Sequence, residues 1–350
     1  MESSAKSPAH FYEPGLDVLR FVAFLMVFLS HAFPALAWQV DYPSRLAVWR
    51  ATLIQAGAFG VDIFFALSAF LITTLLAAEY REHGSIRLSA FYMRRSLRIW
   101  PLYYVFLIAI CFMLPRWLPL SPLPPTYRPG FFLFYGNWLC ALRGYSHSSA
   151  DILWSVSVEE QFYVIWPLLL WITAFSGVAL LSTLFFAIGF AVQAMLVYQS
   201  AVHPALWCNT MVCFEPLAVG AALAVLWTHR RVFSRFKQWI GGSVAVAGFI
   251  MAACICPTLD GPLSLFAYPL VAAVSGLMVV LFLGWSQPQS VIGKTLIYLG
   301  KISYGLYVVH LAVLSVIPHR PLCALLITIL LAHLSYQFLE SPFLRLKNRF

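Results

Sequence analysis

The sequence predicts an all-α protein, a polytopic membrane helix bundle of about ten transmembrane helices plus one short re-entrant or interfacial segment. Three observations predict it. Of 350 residues, 61% are hydrophobic and only 10% are charged, and a mean hydropathy of +0.83 is too high for a soluble globular domain. Apolar windows of the length a helix needs to cross a bilayer, about 20 residues, recur along the chain. The basic residues divide unevenly between the loops those windows define.

The windows fall at 16–38, 55–78, 99–117, 153–173, 177–199, 207–228, 240–257, 264–285, 296–317 and 321–341. The stretch GFFLFYGNWLCALR, Gly130 to Arg143, is apolar but too short to cross, so it reads as the re-entrant or interfacial piece. With both termini placed in the cytoplasm, 16 of the 22 Lys and Arg fall inside and 6 outside. Making Gly130–Arg143 a crossing would send the later basic loops and the C-terminal tail outside, against the positive-inside rule. The net charge of +9 is thus a topology signal, and nucleic acid is excluded as a partner. The Pro-rich linker 118–129 is external in this scheme.

Ala35-Leu36-Ala37, after the apolar run Phe21–Leu29, mimics a signal-peptide cleavage site. Glu2 and Glu13 offset Lys6 and Arg20 in the region before it, and cleavage there would discard His31. The segment is therefore read as the first span. The seven cysteines are odd in number and lie mostly in apolar spans, which points to neither a disulfide framework nor a metal site. No fixed-period repeat and no soluble domain is visible, so residues 1–350 are read as one integral-membrane domain with no fused extracellular domain.

Charged residues inside apolar spans are the functional candidates, because burying a charge in the bilayer costs at least ~2.5–3.5 kcal/mol. Arg20 and His31 stand eleven residues apart in the first span. That spacing returns to within about 20° of the same helix face and separates them by ~16 Å along the axis. In WSVSVEEQFYVIWPLLLW, Trp154 to Trp171, the neighbours Glu159 and Glu160 diverge by 100° and cannot share a face. Glu159 is assigned to the polar interior and Glu160 to a structural partner. The depth of Glu159 below the outer surface approaches that of His31, and a carboxylate beside a histidine is a general-base arrangement.

The loop EYREHGSIRLSAFYMRRSLRIWPLYY, Glu79 to Tyr104, brings Arg94, Arg95 and Arg98 into one basic patch if helical. Such a patch serves topology, anionic lipid or phosphate, and arginine's fork suits the last. In LGKISYGLYVVH, Leu299 to His310, Ser303 and His310 are seven apart and share a face, as two residues lining one cavity do; a packed, hydrogen-bonded histidine is the alternative. Asp62, near the start of the second span, reads as a cavity residue, a helix cap or an ion-pair partner. Glu215, His333 and Glu340 are single polar groups in spans and are read as structural.

Taken in order, these stretches resemble the acyltransferase-3 family of integral-membrane acyltransferases over almost the whole chain. LDVLRFVAFLMVFLSH is similar to that family's first-helix motif, an Arg and a His with ten residues between, here Arg20 and His31. GVDIFFALSAFLIT resembles its second-span motif, FYMRRSLRIWPLYY its basic loop and WSVSVEEQFYVIWP its acidic span. LGKISYGLYVVH and FLESPFLRL resemble its closing helices. Ala69 stands where the family usually has Gly, and Cys213 where many relatives carry Arg, so no role passes to Glu215.

The resemblance implies a bacterial inner-membrane, multi-pass enzyme with both termini cytoplasmic. It would move an acyl group, most often acetyl, from cytoplasmic acyl-CoA to a hydroxyl of a cell-surface or exported glycan or of a secreted small molecule. Arg20, Arg94, Arg95 and Arg98 would hold the CoA phosphates, His31 with Glu159 would deprotonate the acceptor, and Asp62, Ser303 and His310 would line the cavity. No metal is required. Direct transfer and a covalent acyl-histidine relay both remain open. The rival reading is a proton-coupled exporter or flippase, against which stands the lack of repeat symmetry between the two halves.

Overall fold

A computed structural model describes residues 12–33, 45–227, 235–256, 259–285 and 290–346, and among these residues there are helices and turns but no strands. The Ala35-Leu36-Ala37 motif and the basic residues Lys6, Arg230, Arg231, Lys347 and Arg349 lie outside them.

Helix α1 (Pro14–Ala32) begins with proline at its first turn, where the missing amide costs nothing. After α2 (Arg45–Ala56) and a 3-10 turn at Gly57–Phe59, α3 (Gly60–His83) runs 24 residues. It stops at Gly84, whose φ of +68° lets its amide bond back to the Tyr80 carbonyl. Helix α4 (Leu88–Ile108) continues through a π turn at Ala109–Met113. Residues 130–143 form most of two short helices, α5 (Arg128–Phe132) and α6 (Gly136–Arg143), joined by a turn at 133–135, and neither is long enough to span.

There follow α7 (Trp154–Ile172), α8 (Val178–Tyr198), α9 (Phe214–Trp227), α10 (Arg235–Ile255) and α11 (Ser264–Phe282). The chain closes with α12 (Val291–Lys301), α13 (Ser303–Val316), α14 (Pro321–Ser335), a π turn and α15 (Ser341–Leu346).

Among the described residues six helices are long and apolar enough to cross a membrane, or seven if α12 and α13, bent by 75° at Ile302, make one span. The shortfall from ten has visible causes. Glu159, Glu160 and Gln161 lower the hydropathy of α7, and α9 and α10 enter the count only over the described stretches Phe214–Trp227 and Ile240–Ile255.

The apolar surface is inverted relative to a soluble bundle. Leu180, Leu184 and Ile188 on α8, and Leu322, Leu326 and Leu330 on α14, repeat every four residues and are exposed. Such stripes suit hydrocarbon, where an outward leucine needs no cover.

Inside, α1 packs against α3, α12 and α13, while α9 lies on α3 and α8. Two glycines permit this closeness. A methyl group on Gly300 would collide with the Asp17 carbonyl, and one on Gly220 with the Ala66 carbonyl. These neighbours are backbone and cannot swing aside. We expect Gly300→Ala to push α12 off α1 and to cost about 1–3 kcal/mol, as overpacking does. A lowered thermal unfolding midpoint in detergent would report it, and an unchanged midpoint would refute the close approach.

Candidate active site

Two cavities open from the end of the bundle that holds the start of α1, the end of α3 and the start of α4. The outer one is a vestibule of about 1100 Å3 whose lining includes Arg20, Arg87, Arg94, Arg95, Arg98 and Lys301. The inner one, about 90 Å3, is lined by Ser68, Glu159, Tyr163, Ser303 and Tyr307. Arg20, Arg95 and Arg98 border both, so they form the neck between them.

The neck is built by two helices, α1 and α4, with Tyr163 of α7 beside it. On α4, Arg95 and Arg98 are one turn apart and face the same way. The Arg95 guanidinium lies 5.5 Å from the centre of the Phe91 ring and 5.7 Å from that of Tyr163, cation–π contacts that hold it without neutralising it. Arg20, on α1, is ion-paired to Asp17 one turn before it. Arg94 leaves the group. It bonds the Glu79 carboxylate at 3.0 Å, and the other Glu79 oxygen takes Arg87 at 3.2 Å. Arg94 thus lines only the vestibule, and the expected three-arginine patch resolves into a pair at the neck and an outer ion-paired member.

The three consecutive polar residues of α7 point to three different neighbours, as 100° steps require. Glu159 faces the inner cavity and accepts a hydrogen bond from Ser68 Oγ of α3 at 2.6 Å. Ser68 Oγ in turn accepts from Tyr163 at 3.3 Å. Glu160 is buried away from the cavity and accepts from the Trp100 indole at 3.0 Å. Gln161 donates to the Phe134 carbonyl at 2.7 Å and to Asn137 at 2.8 Å, and accepts from Thr210 at 2.6 Å. One helix is thereby tied to α3, to α4 and to the short helices, and only its first acid reaches the cavity.

His31 lies far along α1 from the neck, and its partner differs from the expected one. Its Nδ1 meets His310 Nε2 at 3.2 Å, whereas Glu159 is engaged by Ser68, so no His31–Glu159 hydrogen bond forms among the described residues. Both contacts involve the same helix: Tyr307 of α13 lines the cavity that Glu159 faces, while His310 of α13 takes His31. Tyr307 lines the inner cavity, its hydroxyl 2.6 Å from Ser155 Oγ, and its carbonyl lies 2.6 Å from His310 Nδ1. His310 itself is fully buried, with its ring edge-on to Phe24 at 5.7 Å.

Of the expected cavity residues, therefore, Ser303 lines the inner cavity and His310 does not. Seven residues of helix advance about 10 Å, which carries His310 past the cavity's end at Tyr307. Asp62 lines neither cavity. It is buried in the first turn of α3 without capping it, its Oδ2 has no hydrogen-bond partner among the described residues, and it faces the field of Glu215 rather than of a cation. Of the residues read as structural, His333 bonds Tyr298, and Glu340 borders the vestibule and accepts from Ser335. Among the described residues no cluster of three or more His, Cys, Asp or Glu could hold a metal.

Sequence reasoning missed Ser68, Asp17 and Glu79. Ser68 was visible as the one hydroxyl in the apolar run DIFFALSAF; Asp17 stands one turn before Arg20, the spacing of a helical ion pair.

The profile of the family designated Acyl_transf_3, acyltransferase domain, matches residues 13–339. The chain belongs to the acyltransferase-3 family. The basic neck, the acidic α7 and the histidine of α1 are thus parts of an acyltransferase-3 domain. Its curated relatives include the peptidoglycan O-acetyltransferase OatA of Listeria monocytogenes, 26% identical over 95% of this chain and 56% of the relative. A putative peptidoglycan O-acetyltransferase, YrhL of Bacillus subtilis, is 28% identical over 96% of this chain and 56% of its own length. A putative O-acetyltransferase of Staphylococcus aureus strain MSSA476 is 26% identical over 95% and 57% respectively. This acyltransferase-3 chain therefore spans a little over half the length of the relatives it matches. No solved structure matches it.

Proposed function

We propose that this chain O-acylates a glycan hydroxyl, with acetyl-CoA as donor, in a bacterial inner membrane. The observation that carries the reading is the arginine neck between a vestibule of about 1100 Å3 and a narrow inner cavity of about 90 Å3. A CoA phosphate is a multiply charged anion, and Arg95 and Arg98 offer it forked donors that no carboxylate has claimed by hydrogen bond among the described residues. In this reading the thin pantetheine arm follows the inner cavity past Ser68 to Tyr307, whose side chain must move aside to open the way to the histidine end. In this reading the chain crosses the membrane about ten times, both termini are cytoplasmic and the vestibule opens to the cytoplasm.

The chemistry is a thioester-to-ester exchange. His31 takes the proton of the acceptor hydroxyl as its oxygen attacks the thioester carbonyl carbon. The tetrahedral intermediate collapses by breaking the C–S bond, and the leaving CoA thiolate recovers the proton from the His31 imidazolium. Glu159 acts at the other end of the path, where it offsets part of the charge of Arg95 and Arg98 and fixes Ser68. The relatives named above make peptidoglycan fragments the first acceptor to try.

The test is purified protein in nanodiscs with acetyl-CoA labelled in the acetyl group and soluble muropeptides or other surface glycans. Base-labile label on the sugar is the expected result. Glycan that stays unlabelled while the donor binds would overturn the reading in favour of transport.

A further inference from the structure

We propose that His310 is a positioning residue that locks His31 in one tautomer, with its proton on Nδ1 and its free lone pair on Nε2. The proposal rests on the reading of His31 as the base, and it assigns His310 a task outside the cavity.

The argument begins at a backbone carbonyl, which can only accept. His310 Nδ1 lies 2.6 Å from the Tyr307 carbonyl oxygen, three residues before it on the same helix. That nitrogen must therefore carry a hydrogen. In a neutral imidazole the other nitrogen is then a lone pair. His310 is fully buried, with the rings of Phe24 and Phe28 at 5.7 and 6.3 Å, and no carboxylate bonds it among the described residues. Nothing there compensates a second proton, so its Nε2 is an acceptor.

The Nε2 acceptor faces His31 Nδ1 at 3.2 Å. Were that nitrogen also bare, two buried lone pairs would oppose each other with no donor between them. His31 Nδ1 consequently carries the proton and donates it, which leaves Nε2 as the basic atom. A chain of two fixed donors, from His31 to His310 to the Tyr307 carbonyl, thus sets the base's tautomer without a carboxylate, and the Val27 carbonyl is a second acceptor within reach of the His31 ring. When His31 takes a proton on Nε2, the Nδ1–H bond to His310 strengthens, because a charged donor bonds more strongly than a neutral one. The same ladder holds the His31 ring, whose centroid lies 5.2 Å from that of His310, at one orientation on a half-buried helix face.

The test uses the full chain in nanodiscs with 15N-labelled histidine, the His31 resonances being assigned by their loss in His31→Gln. In the resting wild-type protein the Nδ1–H form of His31 should dominate. His310→Leu, similar in bulk and without polar atoms, should allow the Nε2–H form to become populated. It should lower kcat for transfer about 100-fold or more, within the range of general-base contributions, with the KM for acetyl-CoA unchanged. His310→Gln can place its amide N–H at the Tyr307 carbonyl and its oxygen at His31 Nδ1, and should bring kcat back to within about tenfold of wild type.

A His31 tautomer that does not change in His310→Leu would overturn the proposal, as would Gln doing no better than Leu. The resonances are read in the resting protein, so a wild-type chain with the Nδ1–H tautomer but no transferase activity would instead refute acyl transfer and leave this assignment standing.

Discussion

His31→Ala should abolish acyl transfer while the protein still accumulates and binds donor. A positioned base contributes typically 10²–10⁴-fold, and removing His31 also leaves His310 Nε2 without its partner at 3.2 Å, so the residual rate should fall to the low end of what assays detect. The arginine neck lies about three helical turns away along α1, and donor affinity should therefore hold within about twofold, as additivity of distant sites requires. Measuring transfer and acetyl-CoA binding on the same preparation separates the two. Product at more than about a tenth of the wild-type rate would remove His31 from the mechanism.

The second large effect belongs to the neck. Arg95→Ala with Arg98→Ala should weaken acetyl-CoA binding by roughly 3–6 kcal/mol, from two charge-assisted hydrogen bonds of about 1.5–3 kcal/mol each. Arg94→Ala should do much less, because the donors of Arg94 are already turned to the Glu79 carboxylate at 3.0 Å and Arg94 borders the vestibule but not the inner cavity. The contrast discriminates a ligand site from a topology signal. A basic loop that serves only orientation makes the three arginines interchangeable, and at constant inserted protein none of them changes the dissociation constant. Equal affinities for wild type and the Arg95/Arg98 double variant at fixed ionic strength would sink the donor-site assignment. A loss that shrinks as salt rises supports it, since screening weakens phosphate contacts.

Several features were legible from residue type and spacing alone. The helical membrane class follows from composition, since so apolar a chain leaves every backbone amide to be satisfied within its own segment. The motifs around Arg20, His31, Arg94 to Arg98 and Glu159 marked the acyltransferase-3 likeness, and the family match across residues 13–339 agrees with it. The divergence of Glu159 and Glu160 also came from one-dimensional geometry, because the 100° step holds in any helix.

Partner choice did not follow from the sequence. Periodicity places a side chain on a face but leaves open which helix meets that face. Here α3 rather than α1 meets Glu159, and α13 rather than α7 meets His31, so the expected acid–histidine pair became a Ser68–Glu159 bond and a His31–His310 bond. Ser303 and His310 share a stripe, yet a cavity has a finite depth, and Tyr307 closes it between them. The sequence by itself determined the class of the fold, the family and the kinds of charge the bilayer would have to accommodate. Only the tertiary structure decided which of those charges face one another, because close helix approaches such as that of Gly300 on the Asp17 carbonyl fix rotation and depth through packing that no single segment encodes.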